Sequence, residues 1–159
     1  MKTERRTAVK KLLTLTAGIT GLGLVAKAGE VLPEKETGNI TNLENVPLYS
    51  GHVKHGNLVY IAGKGAHTPE GARLYPYDIK THTEFVLKEI ERELKLAGSS
   101  MEKVLKVTVF LDDIANYKPM NDIYIGRFGN KPPVRTCSAV AKGGIPRESL
   151  LAMDCIAFI

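Results

Sequence analysis

The 159-residue chain has few of the residues that build metal centres and disulfide frameworks. It contains two cysteines, Cys137 and Cys155, and four histidines. The cysteines lie far apart, and no two histidines have the H-x-x-x-H spacing that places two metal ligands on one helical face. We therefore expect no bound metal, no other cofactor and two free thiols.

An excess of positive charge is missing from most of the chain. The formal net charge is +5, from 22 lysines and arginines against 17 aspartates and glutamates. Residues 1–28 hold six of these basic residues and one acidic residue, so 22 minus 6 and 17 minus 1 leave 16 of each kind in residues 29–159. Because this larger part has no net field to attract a phosphate backbone, we expect no nucleic-acid partner.

The apolar run near the start is too short to favour a stable membrane span. Residues 12–26 would reach about 22 Å as a helix, against a hydrocarbon core of about 30 Å. The run follows several basic residues and precedes Ala26-Lys27-Ala28, a small-residue cleavage site. These features predict an export signal over residues 1–28, cleaved near Ala28, and no membrane attachment afterwards. An uncleaved membrane anchor is the alternative.

The export signal contains a paired arginine. Residues 4–10 read Glu-Arg-Arg-Thr-Ala-Val-Lys. They keep both arginines and the later lysine of the twin-arginine consensus but lack its usual aromatic residue. This stretch resembles the leaders that export proteins already folded in the cytoplasm, and it implies a periplasmic location.

The rest of the chain shows alternating strand and helix patterns. Residues 29–44 have four glutamates and no apolar period, which predicts a linker or arm before a folded domain over residues 45–159. Two apolar segments around the turn signal at residues 55–57 predict a β-hairpin. A helix is predicted after a cap at Asp78 or Thr81.

Residues 104–111 are nearly continuous in hydrophobicity, as expected for a central strand covered on both faces. A second helix is predicted from about Tyr117 to Phe128, followed by two final strands. The order β-β-α-β-α-β-β predicts an α+β fold with helices on one face of a mixed sheet. A sheet face that the chain does not cover itself hints at oligomerisation.

Arg135 is the strongest candidate for a binding residue. Two prolines before it fix an extended approach, and the β-favouring residues after it predict a strand. A guanidinium held on rigid backbone can present two parallel N–H donors to a carboxylate. We therefore predict that Arg135 binds a small carboxylate ligand. A solvated or ion-paired surface arginine is the alternative.

Several further stretches match one protein family when they are taken together. They are Tyr49-Ser50, residues 56–60 with Gly63, Asp78-Ile79, residues 96–100, residues 106–111, Met120-Asn121 with Tyr124, and Pro133-Val134-Arg135. Over about residues 45–159 the chain resembles the Rid, or reactive-intermediate deaminase, family. This family is also called the YjgF or L-PSP endoribonuclease family.

The resemblance implies a chorismate-mutase-like fold and a homotrimer whose three ligand clefts lie between neighbouring subunits. It implies that Arg135 grips the carboxylate of a 2-imino or enamine acid and that the backbone N–H of Cys137 assists. Tyr49, Gly63 and Asn121 fall on cleft positions of the family. The implied reaction is hydrolysis of the imine carbon–nitrogen bond, which gives a 2-oxo acid and ammonia.

The chain departs from the family at two positions. A glutamate that is expected to position water on the last strand aligns with Ala152, and a serine after the second strand is replaced by Ala62. Asp154 lies on the same strand face as Ala152 but about 6.5 Å away. A deaminase could therefore depend on Asp154, on Tyr49 or on water chemistry assisted by the substrate.

Two other functions stay open. The first is a non-catalytic trimer that binds a small carboxylate metabolite or a partner. The second is an endoribonuclease. The balanced charge of residues 29–159 and the lack of an evident His–His or His–Lys pair argue against the second.

Overall fold

Six strands and two helices make up the part of the chain that the structure, a computed structural model, describes: residues 33–159. The strands are β1 (Glu36–Leu43), β2 (Val46–His55), β3 (Leu58–Gly65), β4 (Val104–Leu111), β5 (Val134–Ala139) and β6 (Leu151–Phe158). The helices are α1 (Ile79–Leu96) and α2 (Tyr117–Tyr124). The predicted export signal, residues 1–28, lies outside the described residues.

The strands form one mixed sheet in the order β1-β2-β3-β6-β4-β5. Neighbouring strands are antiparallel except β4 and β5, which are parallel and are joined by the crossover through α2. The predicted α+β fold, a mixed sheet with two helices, is confirmed. Neither helix in the described part of the chain is long and apolar enough to cross a membrane.

The core lies between α1 and one face of the sheet. Val86, Ile90 and Leu94 form a buried stripe along α1. On β4, Val107 and Val109 are fully buried and face the same way as the buried residues of β6. The residues between them on β4 point to the other sheet face.

That second face is not covered within one chain. Tyr60 on β3 is 44% exposed, and Lys106 on β4, which shares that face because both residues pair with Ile156, is exposed as well. β4 does lie between two strands, as predicted for a central strand. The prediction that both of its faces are covered fails within one chain, because nothing in the described residues packs on the second face.

Local signals set both ends of α1. The Asp78 carboxylate accepts a hydrogen bond from the Thr81 backbone N–H at 2.9 Å, so Asp78 is the cap. Beyond the helix, Gly98 has a φ of +84°, a left-handed conformation in which glycine needs no Cβ clearance. The prediction of this helix from its apolar spacing is confirmed.

The second helix is shorter than predicted. It ends at Tyr124 rather than near Phe128. Ile125, with a ψ of 135°, already leaves the helical region, and Gly126 follows it with a left-handed φ of +78°. Phe128 still packs in the core, with its ring centroid 4.9 Å from that of Tyr124.

The sheet begins before the predicted domain start at Asn45. Part of the predicted linker or arm forms β1, an edge strand that pairs antiparallel with β2. Seven of its eight residues are exposed, so β1 has no apolar alternation that would identify it from sequence. Its pairing depends on backbone hydrogen bonds, on the surface ion pair between Glu36 and Lys54, and on a polar contact of Asn39.

One buried carboxylate joins α1 to the first three strands. The Glu93 side chain is 1% exposed. It accepts hydrogen bonds from Asn39 Nδ2 on β1 at 2.8 Å and from Lys64 Nζ on β3 at 2.9 Å, and it lies 2.7 Å from His52 Nδ1 on β2. Gly38 makes room for this arrangement, since a Cβ there would lie 2.2 Å from the His52 ring.

The contacts keep Glu93 ionised. Burial alone would raise the pKa of its carboxyl group, but the hydrogen bonds with His52, Lys64 and Asn39 outweigh that effect. The pKa falls from its ordinary 4.5 to about 2. Glu93 therefore carries a full negative charge at neutral pH inside the fold.

Replacing Glu93 by glutamine should destabilise the fold. Glu93→Gln leaves the Lys64 ammonium without its charged partner, and breaking a buried ion pair costs about 3 kcal/mol or more. Urea unfolding at fixed protein concentration measures the loss. Glu36→Gln is the matched control, because Glu36 is 67% exposed and pairs with Lys54 at the surface. The control should cost less than about 1 kcal/mol, and equal losses in the two variants would contradict the role given to Glu93.

The stabilisation from Glu93 should also depend on pH. Its pKa is about 2 in the folded chain and ordinarily 4.5, so the unfolded chain takes up the proton first as the pH falls. The stabilisation is complete above about pH 4.5 and is lost as the pH falls toward about 2. The difference in unfolding free energy between wild type and Glu93→Gln should therefore shrink over this window. A difference that stays constant with pH would be inconsistent with the lowered pKa.

Candidate functional site

Arg135 lies at the start of β5, immediately after Val134 and the two prolines. In the parallel register it stands beside Val107 of β4, whose side chain faces the helices. Neighbouring residues in such a register share a sheet face. The Arg135 side chain therefore points toward α2 on the helix-bearing face.

Three residues of α2 hold the guanidinium group. Arg135 Nη1 donates to Asn121 Oδ1 at 2.7 Å, and Nη2 donates to Tyr117 Oη at 3.2 Å. The guanidinium carbon lies 4.6 Å from the centroid of the Tyr124 ring, within the range of a cation–π contact. All of these partners are electrically neutral, so they orient the cation without cancelling its charge.

Arg135 has no carboxylate partner among residues 33–159. By contrast, Arg73, Arg92 and Arg127 each pair with a glutamate. A guanidinium has five N–H donors, of which Asn121 and Tyr117 use two. The remaining donors and the uncompensated charge suit a planar carboxylate ligand.

Arg135 borders a cavity of about 480 Å³, which we call the Arg135 cavity. Its lining residues come from α2, from the turn that follows it and from the approach to β5: Asn121, Tyr124, Ile125, Gly126, Phe128, Gly129, Pro132, Pro133 and Arg135. Asn121 and Arg135, both predicted to bind substrate, thus line the same cavity. Its lining is mainly apolar around this one cation.

Among the described residues, no histidine or carboxylate lines the Arg135 cavity. Burial raises the pKa of the Tyr124 hydroxyl to about 12. The Tyr124 hydroxyl also has no hydrogen-bond partner among the described residues. Burial likewise raises the pKa of the Cys137 thiol, which lies two residues further along β5 and packs against the core. The predicted role of the Cys137 backbone N–H stays a prediction.

Tyr49 and Gly63 lie elsewhere. They border a second cavity of about 460 Å³, which we call the Lys64 cavity. Besides these two residues and Lys64, its lining comes from β1, β2 and β3, from the loop after β3 and from α1: Asn39, Thr41, Gly51, Gly65, His67, Thr68, Pro69, Phe85, Glu89, Arg92 and Glu93. Within one chain, therefore, the structure brings Arg135 and Asn121 together and leaves Tyr49 and Gly63 in a different cavity.

Ala152, which aligns with the family glutamate, and the nearby Asp154 lie on the opposite sheet face from Arg135. Ala152 stands opposite Phe110 of β4, and Asp154 stands opposite Thr108. These β4 residues alternate with the buried ones that face the helices. The side chains of Asp154 and Arg135 in one chain therefore project from opposite faces of the sheet.

Several site residues were not found from the sequence. Two of them, Tyr117 and Tyr124, share one helical face with the predicted site residue Asn121 through the spacing i, i+4, i+7, and that spacing could have identified them. Glu93 follows Ile90 by three residues within the apolar stripe of α1, and a charge at such a position signals a buried partner.

Among the described residues, no group of three or more acidic, histidine or cysteine side chains is arranged to hold a metal ion.

The family described as Endoribonuclease L-PSP matches residues 39–159. A RutC family protein of Pyrococcus abyssi is 36% identical over 110 residues, which cover 69% of this chain and 85% of the relative. The chloroplastic Reactive Intermediate Deaminase A of Arabidopsis thaliana is 33% identical over 109 residues, which cover 69% of this chain and 57% of that protein.

The fold agrees with solved structures of the same group. The crystal structure of RidA from the Antarctic bacterium Psychrobacter sp. superposes with a TM-score of 0.65 at 28% sequence identity. The match covers 76% of this chain and 98% of that chain. The family match, the relatives and the fold lead to one conclusion: the chain belongs to the endoribonuclease L-PSP family, which includes the RutC and Rid proteins.

Proposed function

We propose that this protein hydrolyses small 2-imino acids to 2-oxo acids and ammonia, with the substrate carboxylate bound by Arg135. The observation that carries the proposal is the Arg135 guanidinium, which neutral groups orient and no carboxylate of residues 33–159 neutralises. A relative named Reactive Intermediate Deaminase A supports this reaction class.

In the proposed reaction, water adds to the imine carbon, and its oxygen forms the new bond to that carbon. The carbon–nitrogen bond then breaks, the nitrogen leaves as ammonia, and the carbon becomes the carbonyl of the 2-oxo acid. Arg135 fixes the carboxylate next to the reacting carbon and so fixes that carbon in space. Its positive charge also offsets the negative carboxylate, which favours attack at the neighbouring carbon.

We propose that the complete cleft forms between two copies of the chain in a homotrimer. Two features support this assembly. Tyr49 and Gly63 lie in a different cavity from Arg135 and Asn121. The second sheet face is also uncovered in a single chain. A cleft between subunits would bring together residues that one chain keeps apart.

Activation of the water is where this chain departs most from its family. Ala152 can perform no acid–base chemistry. In the proposed cleft, the water would be positioned by Asp154 or Tyr49 of a neighbouring copy or by the substrate itself. Free imines are electrophilic and need little activation, so the reaction can proceed with positioning as its main requirement.

A second candidate function is binding of a small carboxylate without catalysis. Alanine at positions 62 and 152, in place of two polar family residues, favours it. An endoribonuclease activity draws no support from the balanced charge of residues 29–159. For location, we propose export to the periplasm, on the basis of the twin-arginine-like residues 4–10.

Arg135→Ala should remove the activity and spare the fold. The assay follows release of 2-oxo acid and ammonia from freshly generated 2-iminopropanoate or 2-iminobutanoate. We expect kcat/KM to fall at least about thirtyfold, because loss of one partner of a desolvated charge pair costs about 2 kcal/mol or more. Arg73→Ala is the control, since Arg73 pairs with Glu148 and lines neither cavity.

Unchanged hydrolysis by Arg135→Ala would remove the proposed site. Absence of hydrolysis by wild-type protein that is trimeric in sedimentation analysis would favour the binding function instead. In that case, calorimetric titration with a 2-oxo acid should still show binding that Arg135→Ala abolishes.

Ala152→Glu should increase the activity, because it restores a proton acceptor at the family position. A positioned acid or base contributes about 100-fold or more in other enzymes, and we expect at least about tenfold here. Ala152→Gln, which has a similar shape without the charge, is the control. A folded trimer of Ala152→Glu with no gain over Ala152→Gln would mean that the water site is built differently.

A further inference from the structure

We propose that Lys64 selects 2-imino acids whose side chains carry an acceptor oxygen, such as those derived from glutamate and glutamine. The inference rests on the proposed function and names the substrate class of the same cleft. It assigns a role to the Lys64 cavity, which the binding of the carboxylate by Arg135 does not explain.

Lys64 is fixed in position but retains hydrogen-bonding capacity. Its side chain is 16% exposed, and Nζ donates to Glu93 Oε2 at 2.9 Å. An ammonium group has three N–H donors, and this is the single hydrogen bond that it makes within residues 33–159. Two donors therefore remain for a ligand in the cavity that Lys64 lines.

The partner of Lys64 is itself held from two other strands. Asn39 and His52 contact the Glu93 carboxylate and fix its orientation. A lysine at an open surface loses side-chain freedom when it binds a ligand, and this loss weakens binding. Lys64 has already lost that freedom in the fold, so its free donors are preorganised.

The location of Lys64 connects it to the proposed cleft. It directly follows Gly63 on β3 and shares a cavity with Tyr49. Both neighbours fall on cleft positions of the family. The cavity volume of about 460 Å³ lies within the range of about 300–1,000 Å³ typical of small-molecule sites, which leaves room for a substrate side chain.

The charges around the cavity are balanced. Lys64 and Arg92 stand against Glu89 and Glu93, and Arg92 pairs with Glu89. Selection would therefore come from directed N–H donors rather than from net charge, so carboxylate and carboxamide oxygens both qualify. An apolar side chain would displace water from the partly buried ammonium without replacing its hydrogen bonds, and sites that hydrogen-bond a substrate group reject analogues that lack it.

The test compares three imines with side chains of similar length. They are generated freshly from glutamate, glutamine and norvaline, and the last one has an apolar side chain. Wild type should prefer the two polar imines. In Lys64→Met, kcat/KM for the polar imines should fall at least about tenfold, while that for the norvaline imine changes less than about threefold.

Three variants complete the design. Lys64→Arg keeps a cationic donor and should retain the polar preference. Lys54→Met removes a lysine that pairs with Glu36 and does not line the cavity, so it should behave as wild type. If Lys64→Met fails to fold, the double variant Lys64→Met/Glu93→Gln removes both charges of the pair and should show the same loss of preference.

A polar preference that Lys64→Met leaves unchanged, or equal losses for all three imines, would overturn the inference. The proposed function survives either result if Arg135→Ala still abolishes hydrolysis. If wild type hydrolyses no imine, the proposed function fails, and calorimetric titration then decides the inference. Binding of 2-oxoglutarate that is tighter than that of 2-oxopentanoate, and at least tenfold weaker in Lys64→Met, would support it. Equal binding of the two acids would overturn it.

Discussion

The buried carboxylate of Glu93 is the interaction on which the N-terminal half of the sheet depends. It accepts or shares hydrogen bonds with three successive strands, β1 to β3, and fixes all of them to α1. A buried charge is costly unless it is paired and hydrogen-bonded, and here three polar partners, one of them a cation, meet that requirement. The same contacts shape the Lys64 cavity, so one ionised group contributes to both stability and the candidate site.

Arg135 presents the complementary case at the other end of the sheet. Glu93 is a charge fully neutralised by its surroundings, whereas Arg135 is a charge oriented by an amide and two phenol rings and left without a counter-ion in the described residues. These neutral contacts hold the guanidinium in place without an ion pair to balance its charge. This is therefore the arrangement expected where a ligand supplies the missing charge.

The elements that could be predicted are those with local signals. α1 has an apolar stripe and an aspartate cap, the β2-β3 hairpin has a turn signal, and Arg135 follows two prolines. β1 could not be predicted, because its residues are mostly exposed and it is held by backbone pairing and by Asn39, 54 positions from Glu93. The contact of Lys64 with Glu93 spans 29 positions, and no local sequence pattern indicates it either. The candidate binding residue Arg135 was thus visible in the sequence, while the surroundings that define its site were not.

The sheet order has a consequence for how such a protein tolerates damage. β1 to β3 and the β4-β5 pair lie at opposite ends of the sheet, so each chain carries the two cavities in separate places. In the proposed trimer every subunit would serve two clefts, and one defective chain would impair both. Conversely, chains defective in different halves could complement each other, because a mixed trimer would contain one cleft assembled from two sound halves.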